Sequence, residues 1–458
     1  MTSTPAPLRK RDGALRAALS QRPIIADGAM GTMLQAANPS LEDFQNYEGC
    51  NEILNVTRPD IVTSVHNAYL EAGVDAIETN TFGANWANLA EYEIEDRIYE
   101  LARAGAQIAR NAADSFSTAE KPRFVLGSLG PGTKLPTLGH TTYEKLKDAY
   151  AIASQGLVDG GADALLIETT QDLLQAKAAV NGAREVIGKC DRDIVLIAQV
   201  TVETTGTMLL GSEIGAALNA LENLDIDLIG LNCATGPAEM SEHLRYLSKN
   251  STAMISVMPN AGLPILGPNG ATYPLAPAEL AAALSTFVDD YGLSLIGGCC
   301  GTTPEHLAAV VKALADKKLS PRTVTAEPSV SSLYQAVTLH QDLAYLAIGE
   351  RTNANGSKAF REALVAEDWQ GCVEIARDQI RDGAHILDLS VDYVGRDGVR
   401  DMHEVASRFA TASTLPIMLD STEPAVLKAG LEALGGRSII NSVNYEDGDG
   451  PTSRFARI

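Results

Sequence analysis

Residues 293–306 read LSLIGGCCGTTPEH and contain a whole strand-to-helix connection. The apolar run LSLIGG predicts a buried β-strand, and its two glycines lead into Cys299 and Cys300 just beyond the strand end. The following TTPEH supplies a threonine N-cap, a first-turn proline and a first-turn acid, which together predict the start of a helix. His306 then falls in the first helical turn, so we interpret it as a structural residue rather than a ligand.

The same order of apolar run, polar loop and helical stretch occurs seven more times before residue 293. Stretches such as PDIVTSVHNAYLEAGV, between the runs, are apolar at helical spacing and end near glycine. Eight such units in roughly 300 residues predict an α/β fold of the (β/α)8 TIM-barrel type. A doubly wound open sheet is the structural alternative, but the first turn reads DGAMGT and lacks the G-x-G-x-x-G of that fold. The seven other predicted strands are PIIADG (23–28), DAIETN (75–80), FVLGSLG (124–130), ALLIET (164–169), DIVLIAQV (193–200), LIGLN (228–232) and AMISVMPN (253–260).

The pattern predicts a chain of four parts. Residues 1–20 form a basic N-terminal capping helix without an apolar signal core, and residues 21–318 form the barrel. Residues 319–340 lose the periodicity, are rich in Ser, Pro and Lys, and are interpreted as a linker. A second strand-helix series fills 341–458, which is only enough for the first half of a second TIM-type barrel, because a whole one takes about 250 residues. We therefore expect the sequence to be a piece of a longer protein. The four strands predicted for this half barrel are LAYLAIGERTN (343–353), AHILDLSVD (384–392), LPIMLDST (415–422) and RSIINSVN (437–444).

Composition excludes several classes of function. The formal net charge of −22 argues against a large interface with nucleic acid or an anionic membrane. No apolar stretch is long enough to span a bilayer. Six cysteines in 458 residues are too few for a disulfide scaffold, so we expect reduced thiols in a cytoplasmic enzyme.

Three cysteines follow predicted strand ends. Cys233 follows the sixth strand in LIGLNCATGP, and Cys299 and Cys300 follow the eighth. In a barrel these ends surround one mouth, and three thiolates there are a ligand set for zinc. We expect Asn260, after the seventh strand, to fill the fourth position until a substrate thiol displaces it. The alternatives are three buried cysteines without a metal, a structural zinc site (although C-x2-C spacing is absent) or a strained vicinal disulfide. The remaining cysteines, to which we assign no role, are Cys50, Cys190 and Cys372.

The motifs DGAMGT, ETNTFGAN, LLIETTQD, GLNCATGP, MPNAGLP and GGCCGTTPEH together resemble the homocysteine S-methyltransferase family. The resemblance covers the whole first barrel and implies that Cys233, Cys299 and Cys300 bind zinc, to which the homocysteine sulfur is added. It implies that Glu168 acts with these catalytic cysteines near the amino and carboxylate ends of homocysteine, where a carboxylate can hold the ammonium group. The alternative role for Glu168 is a structural carboxylate that caps a neighbouring loop. The other implied homocysteine-binding residues are Asp27, Gly28, Asn80, Thr81 and Asn260. Asn80 and Thr81 have the alternative role of capping the helix that follows them.

The second half barrel carries a different set of polar strand ends. Carboxylates and carboxamides suit a flat heterocycle with alternating donors and acceptors. The motifs IGERTN, LDLSVD, MLDST and IINSVN resemble the pterin-binding domain of cobalamin-dependent methionine synthases and corrinoid methyltransferases. The resemblance implies that Asp420 and Asn441 contact the pterin and that Asn353 and Asp388 lie near its N5 edge. Ser390 departs from the family pattern, which often has Asn there, and helix capping is the alternative role for the whole set. The other polar residues at these ends are Glu350, Asp392 and Ser442.

The order of the two domains resembles the N-terminal half of the cobalamin-dependent methionine synthase family. It implies a methyltransferase that passes a methyl group from methyltetrahydrofolate to cobalamin, and from methylcobalamin to zinc-bound homocysteine. The cobalamin would be bound by a downstream domain, because the D-x-H-x-x-G motif of such domains is absent here. Two alternatives remain open: a stand-alone homocysteine S-methyltransferase using betaine or S-methylmethionine, and a non-catalytic zinc-binding scaffold.

Overall fold

The computed structural model describes residues 13–267, 270–342 and 345–443, with residues 445, 446, 448, 450 and 453. Most of the predicted N-terminal helix, two residues of the ninth predicted strand and most residues after 443 lie outside the described set. Within that set, no helix combines the length and apolar character that a membrane crossing requires.

The described residues of the first domain form ten short strands, eight of which make one parallel sheet. The sheet order is β1-β10-β7-β6-β5-β4-β3-β2, and a backbone hydrogen bond of 2.7 Å from Asp75 to Ile25 links its two ends. The other two strands, β8 and β9, form an antiparallel hairpin after β7. This near-closed ring confirms the predicted barrel. The strands are β1 (Ile24–Ile25), β2 (Ala76–Glu78), β3 (Phe124–Leu129), β4 (Ala164–Thr170), β5 (Val195–Val200), β6 (Leu228–Asn232), β7 (Met254–Met258), β8 (Ile265–Gly267), β9 (Gly270–Thr272) and β10 (Leu295–Ile296).

Helices surround the ring and cover its outer face. Several begin with a side-chain cap, such as Asn85, Thr142 and Asp172, each of which accepts a hydrogen bond from a backbone N–H of the first turn. The helices are α1 (Ala14–Leu19), α2 (Met30–Ala36), α3 (Leu54–Thr57), α4 (Pro59–Ala72), α5 (Trp86–Ala90), α6 (Ile98–Phe116), α7 (Tyr143–Asp159), α8 (Leu173–Ile187), α9 (Ile214–Leu221), α10 (Pro237–Asn250), α11 (Pro277–Tyr291) and α12 (Pro304–Leu314).

Successive residues of each barrel strand enter two different buried layers. Ile24, Leu126 and Ile197 belong to a layer inside the ring, whereas Ile25 and Val125 pack in the larger layer between the strands and the helices. Because both faces of a parallel barrel strand are buried, its sequence is apolar throughout rather than alternating. This explains why short continuous apolar runs identified the strands.

Helix α1 closes the N-terminal end of the barrel. Leu15 and Leu19 join the inner apolar layer, and Arg16 forms ion pairs with Asp193 (2.8 Å) and Asp227 (2.5 Å). The functional groups described below therefore face the opposite, C-terminal end, as expected for barrels of this type.

The segment that we interpreted as a linker contains a hairpin of two antiparallel strands, β11 (Ser329–Ser331) and β12 (Ala336–Thr338). Ser329 Oγ donates to Asn219 of α9. Ser331 N donates to the carbonyl of Arg437 in the second domain, and Arg437 N donates back to Ser331 Oγ. Composition alone could not show this, because the hairpin depends on partners in both domains.

The second domain has a four-stranded parallel sheet in sequential order. This is the first half of a TIM-type barrel, as predicted, with its apolar layer between the sheet and four helices. Its strands and helices are β13 (Ile348–Gly349), α13 (Lys358–Val365), α14 (Trp369–Arg381), β14 (Ile386–Leu389), α15 (Gly398–Ala412), β15 (Ile417–Asp420), α16 (Pro424–Leu431) and β16 (Ile439–Asn441).

A buried lysine joins the two domains. Lys177 of α8 donates from Nζ to the carbonyl oxygens of Leu434 (2.7 Å) and Gly436 (3.3 Å), beyond α16. Its burial lowers the pKa of the ammonium group to about 8. The contact thus satisfies two carbonyl groups of the second domain with a charge from the first.

Candidate active site

A cavity of about 580 Å³ occupies the C-terminal mouth of the first barrel. Its wall is built from the ends of β2, β4, β6 and β10 and from the hairpin β8–β9. The three cysteines and Glu168, predicted from separate parts of the sequence, all line this one cavity.

The three thiols converge on one point. The sulfur atoms of Cys233, Cys299 and Cys300 all lie within 4.8 Å of one another, and Cys233 Sγ is 3.8 Å from Cys300 Sγ. Two sulfur ligands of a tetrahedral zinc with bonds of about 2.3 Å are about 3.8 Å apart. The donor set therefore fits zinc in both chemistry and spacing.

The charge on these thiols is strongly coupled. Hydrogen bonds from Cys233 and Cys299 lower the pKa of Cys300 to about 3, whereas the bonds to Cys233 and Cys300 raise the pKa of Cys299 well above its ordinary value. One thiolate is stabilised by its neighbours, but a second negative charge beside it is disfavoured. A cation between the sulfur atoms would offset the repulsion between their negative charges.

Two glycines permit the backbone conformation on either side of the cysteine pair. Gly301 has φ +76°, which L side chains rarely adopt, and a Cβ on it would overlap the ring of Tyr273. A Cβ on Gly298 would overlap Thr302, whose Oγ1 donates to the Cys299 carbonyl at 2.7 Å. Glycine is thus required at both of these positions of GGCCGT by local packing.

Asn260 lies in the loop that is tied to the cysteine pair. Cys299 N donates to Pro259 O at 2.8 Å, and Ala261 N donates to Cys300 O at 3.0 Å, so backbone hydrogen bonds flank Asn260 on both sides. Its Oδ1 is buried and has no hydrogen-bond partner within the described part of the chain. The side chain does not line the cavity, and its role as a fourth ligand stays a prediction.

Three carboxyl groups, those of Glu52, Glu78 and Glu168, line the cavity, and a fourth, that of Asp27, precedes the lining residue Gly28. Glu168 Oε1 accepts from Ser128 Oγ at 2.5 Å and Oε2 accepts from Asn232 at 3.2 Å, while Asp27 accepts from the Glu78 backbone at 3.0 Å. Burial is the main cause that raises the pKa of each group, to about 7 for Glu168. The sequence analysis missed Glu78, because it considered only Asn80 and Thr81 at the end of this strand. Glu78 lies two positions before Asn80, and alternate residues of a strand face the same side, so both side chains line the cavity.

The remaining predicted substrate residues are placed differently. Gly28 lines the cavity, and a Cβ there would overlap Thr302. Asn80 also lines it, but its Nδ2 donates to Asn51 O (2.8 Å) and Asn55 Oδ1 (3.0 Å). Thr81 donates to the carbonyl of the lining residue Ser128 at 2.7 Å but does not itself line the cavity, so the structure does not bring its side chain into the site.

His306 has the structural role that we predicted. Its Nδ1 contacts the Thr303 backbone and hydroxyl, which completes the cap of α12, and its Nε2 lies 2.9 Å from the Leu275 carbonyl. It is therefore no part of the cysteine cluster.

The second domain gathers a separate polar cluster at the ends of its strands. Asn353 Nδ2 donates to Asp388 (2.8 Å) and to Asp420 (3.1 Å), and Asn441 lies opposite Asp420 in the register of β15 and β16. Burial, with the charges of Asp420 and Glu350, raises the pKa of Asp388 to about 6. Asp388 Oδ1 is buried without a partner within the described residues. The structure thus brings together the predicted pterin residues, whose contacts with a pterin stay a prediction.

The comparisons with known proteins agree with the two domains. Residues 24–314 match the family model of homocysteine S-methyltransferase, and residues 349–457 match that of pterin binding enzymes. The chain is 65% identical over 439 residues to a methionine synthase of Mycobacterium tuberculosis, covering 96% of this chain and 37% of the relative. It is 61% identical to a methionine synthase of Mycobacterium leprae, covering 38% of that protein. The chain therefore spans less than two fifths of the length of these relatives.

A solved structure is similar to the first domain. The homocysteine methyltransferase MmuM from Escherichia coli, in its metallated form, superposes with a TM-score of 0.53 at 24% identity, covering 65% of this chain and 99% of that one. At this identity the likeness supports the barrel fold. The match over residues 24–314 covers more than half of the sequence, and the chain belongs to the homocysteine S-methyltransferase family.

Proposed function

We propose that this chain is the homocysteine- and folate-binding part of a methionine synthase. It transfers a methyl group to the sulfur of homocysteine from methylcobalamin, and methyltetrahydrofolate is the primary methyl donor. The observation that carries the proposal is the convergence of three thiols at the mouth of a barrel that a pterin-type sheet follows in the same chain. A stand-alone methyltransferase using betaine or S-methylmethionine would have no use for that second sheet.

Zinc is the metal that the site is built to hold. Cys233, Cys299 and Cys300 would bind it, and Asn260, held beside the cysteine pair, is the proposed exchangeable ligand. The metal would accept the homocysteine sulfur and favour its thiolate form at neutral pH, where a free thiol with a pKa of roughly 8.5 is mostly protonated. Three reduced cysteines are required, which fits a cytoplasmic enzyme.

The carboxyl groups hold the other end of homocysteine. Glu168 is fixed by Ser128 and Asn232, so its charge can face an ammonium group without a change of rotamer. Gly28 leaves room for the substrate backbone, and Asp27 lies beside it. This anchoring aims the sulfur at the cysteines, and Asn80 completes the wall.

The second domain is proposed to bind the pterin of methyltetrahydrofolate. Asp420 and Asn441 would take its donor and acceptor edge, with Asn353 and Asp388 near N5. The hydrogen bonds from Asn353 Nδ2 bridge the two aspartates and fix the orientation of their carboxylates. Cobalamin would be carried between the two sites by a further domain of the longer relatives.

Methyl transfer from exogenous methylcobalamin to homocysteine tests the proposal. The zinc-loaded chain should produce methionine, and a chelator should abolish the product until zinc is restored. Parallel reactions contain S-methylmethionine or betaine as the donor and should give no product. Methionine formed from either of these donors alone, or activity insensitive to the chelator, would contradict the proposal.

A further inference from the structure

We propose that Glu78 is a third substrate-binding carboxylate, which acts with Asp27 to make the cavity specific for thiols that carry a protonated amino group. The inference deepens the proposed function and rests on it. Glu78 is the last residue of β2 and lines the cavity that the three thiols share.

Glu78 and Asp27 form a linked pair. The Glu78 backbone N–H donates to Asp27 Oδ1 at 3.0 Å, so the two residues occupy neighbouring places at the strand ends. The other oxygen of Asp27, Oδ2, is buried in a residue that is only 1% exposed and has no partner within the described residues. Glu78 Oε1 is buried and equally without a partner there. One buried carboxyl oxygen on each residue of this linked pair therefore lacks a donor within the described residues.

Glu168 differs from this pair in its hydrogen bonding. Both oxygens of Glu168 accept hydrogen bonds, from Ser128 and from Asn232. Its charge is stabilised before a substrate enters, whereas the Asp27–Glu78 pair still requires donors. A buried acceptor without a donor is costly, so the pair favours a ligand that supplies N–H groups.

The cavity has no positive charge of its own. None of the described residues that line it is a lysine, arginine or histidine. Desolvation and the proximity of Glu168 and Asp27 raise the pKa of Glu78, which indicates that the acids repel one another in the absence of a cation. An ammonium group brings both the charge and up to three N–H donors. A thiol without this group leaves the oxygens unpaired, and such a site rejects ligands of that kind.

The test compares two thiols on wild-type protein and on Glu78→Gln, both loaded with zinc. The ligands are homocysteine and 4-mercaptobutanoate, which keeps the thiol and carboxylate but lacks the amino group. Calorimetry should show that the substitution lowers the affinity for homocysteine by about 10–100-fold, whereas the affinity for 4-mercaptobutanoate stays the same or increases. Glu52→Gln is the matched control, because Glu52 lines the same cavity but has both oxygens hydrogen bonded, to Gly83 N and Cys50. The Glu52→Gln substitution should change the affinities for homocysteine and 4-mercaptobutanoate by the same factor.

Equal weakening of both thiols by Glu78→Gln, or no effect on homocysteine, would overturn the inference while leaving the proposed function intact. Wild-type protein provides a second measurement in case the variant does not fold. It should bind homocysteine at least about tenfold more tightly than 4-mercaptobutanoate, and equal affinities would overturn the inference. Failure of the zinc-loaded wild type to bind either thiol would instead defeat the proposed function itself.

Discussion

Cys233 Sγ lies 3.8 Å from Cys300 Sγ, although 67 positions separate the two residues in the chain. The contact exists because β6 and β10 both border β7 and end at the same mouth. Cys233 itself has φ +60°, a strained conformation for a residue with a side chain. The fold thus holds sulfur atoms close together at some cost, which is typical of a functional site.

Replacement of Cys299 by serine should remove the metal and spare the fold. A hydroxyl is a poor substitute for a thiolate, so we expect zinc affinity to fall by more than about 100-fold. Metal content after dialysis and circular dichroism measure the two effects. Cys190→Ser, outside the cluster, is the control and should keep its zinc. Global unfolding of the Cys299 variant would instead indicate a structural role.

Replacement of Gly301 by alanine should damage the site more than the backbone conformation alone requires. A non-glycine residue with positive φ costs about 1–2 kcal/mol. Gly139→Ala is the matched control, because Gly139 has φ +74° and open space where the Cβ would go. At Gly301, with φ +76°, the Cβ also meets the Tyr273 ring. Urea unfolding and zinc titration should show a larger loss for Gly301→Ala in both quantities, and equal losses would refute the packing argument.

Replacement of Asp388 by asparagine should stabilise the second domain above pH 6 and have little effect near pH 4. The folded chain raises the pKa of Asp388 from 3.8 to about 6, so it holds this proton more tightly than the unfolded chain. Stability from this group is therefore fully present below about pH 4 and is lost as the pH rises through 6. The neutral amide removes that loss.

The measurement is urea unfolding at pH 5 and pH 7.5, followed by fluorescence of Trp369. The chain has two tryptophans, so a Trp86→Phe background leaves only the reporter in the second domain. The stability difference between Asp388 and its asparagine variant should grow with pH. A difference that does not change with pH would contradict the assignment.

Replacement of Lys177 by methionine should loosen the second domain. The variant leaves the carbonyl groups of Leu434 and Gly436 without their donor, which costs about 1–3 kcal/mol, partly offset by removal of a buried charge. The same Trp369 fluorescence reports the change. Lys189→Met is the control, because Lys189, just after α8, is exposed and forms its ion pair with Glu185 of that helix. Equal stability of the two variants would show that the Lys177 contact is dispensable.

The sequence predicted the barrel and the convergence of the three cysteines well because both depend on local patterns. A buried parallel strand is apolar on both faces, so runs such as LIGLN are recognisable, and the residue after each run must lie at the mouth. Thr81 illustrates the limit of this reasoning. It also follows a strand, but its hydroxyl turns to the Ser128 carbonyl, a contact between strands that spacing does not reveal.

Three further features depended on contacts between distant segments. Glu78 and Asp27 are joined across the closure of the barrel, Tyr273 reaches Gly301 from a hairpin, and the hairpin β11–β12 is ordered by Asn219 and Arg437. None of these residues has an unusual local sequence. Their roles follow only from the tertiary arrangement.

X-ray absorption at the zinc edge, recorded with and without homocysteine, tests the central claim most directly. Without substrate, the zinc-loaded chain should show three sulfur ligands and one nitrogen or oxygen ligand. Homocysteine should convert this shell to four sulfur ligands at about 2.3 Å. A shell that does not change when homocysteine is added would contradict the account and indicate a closed, structural zinc site.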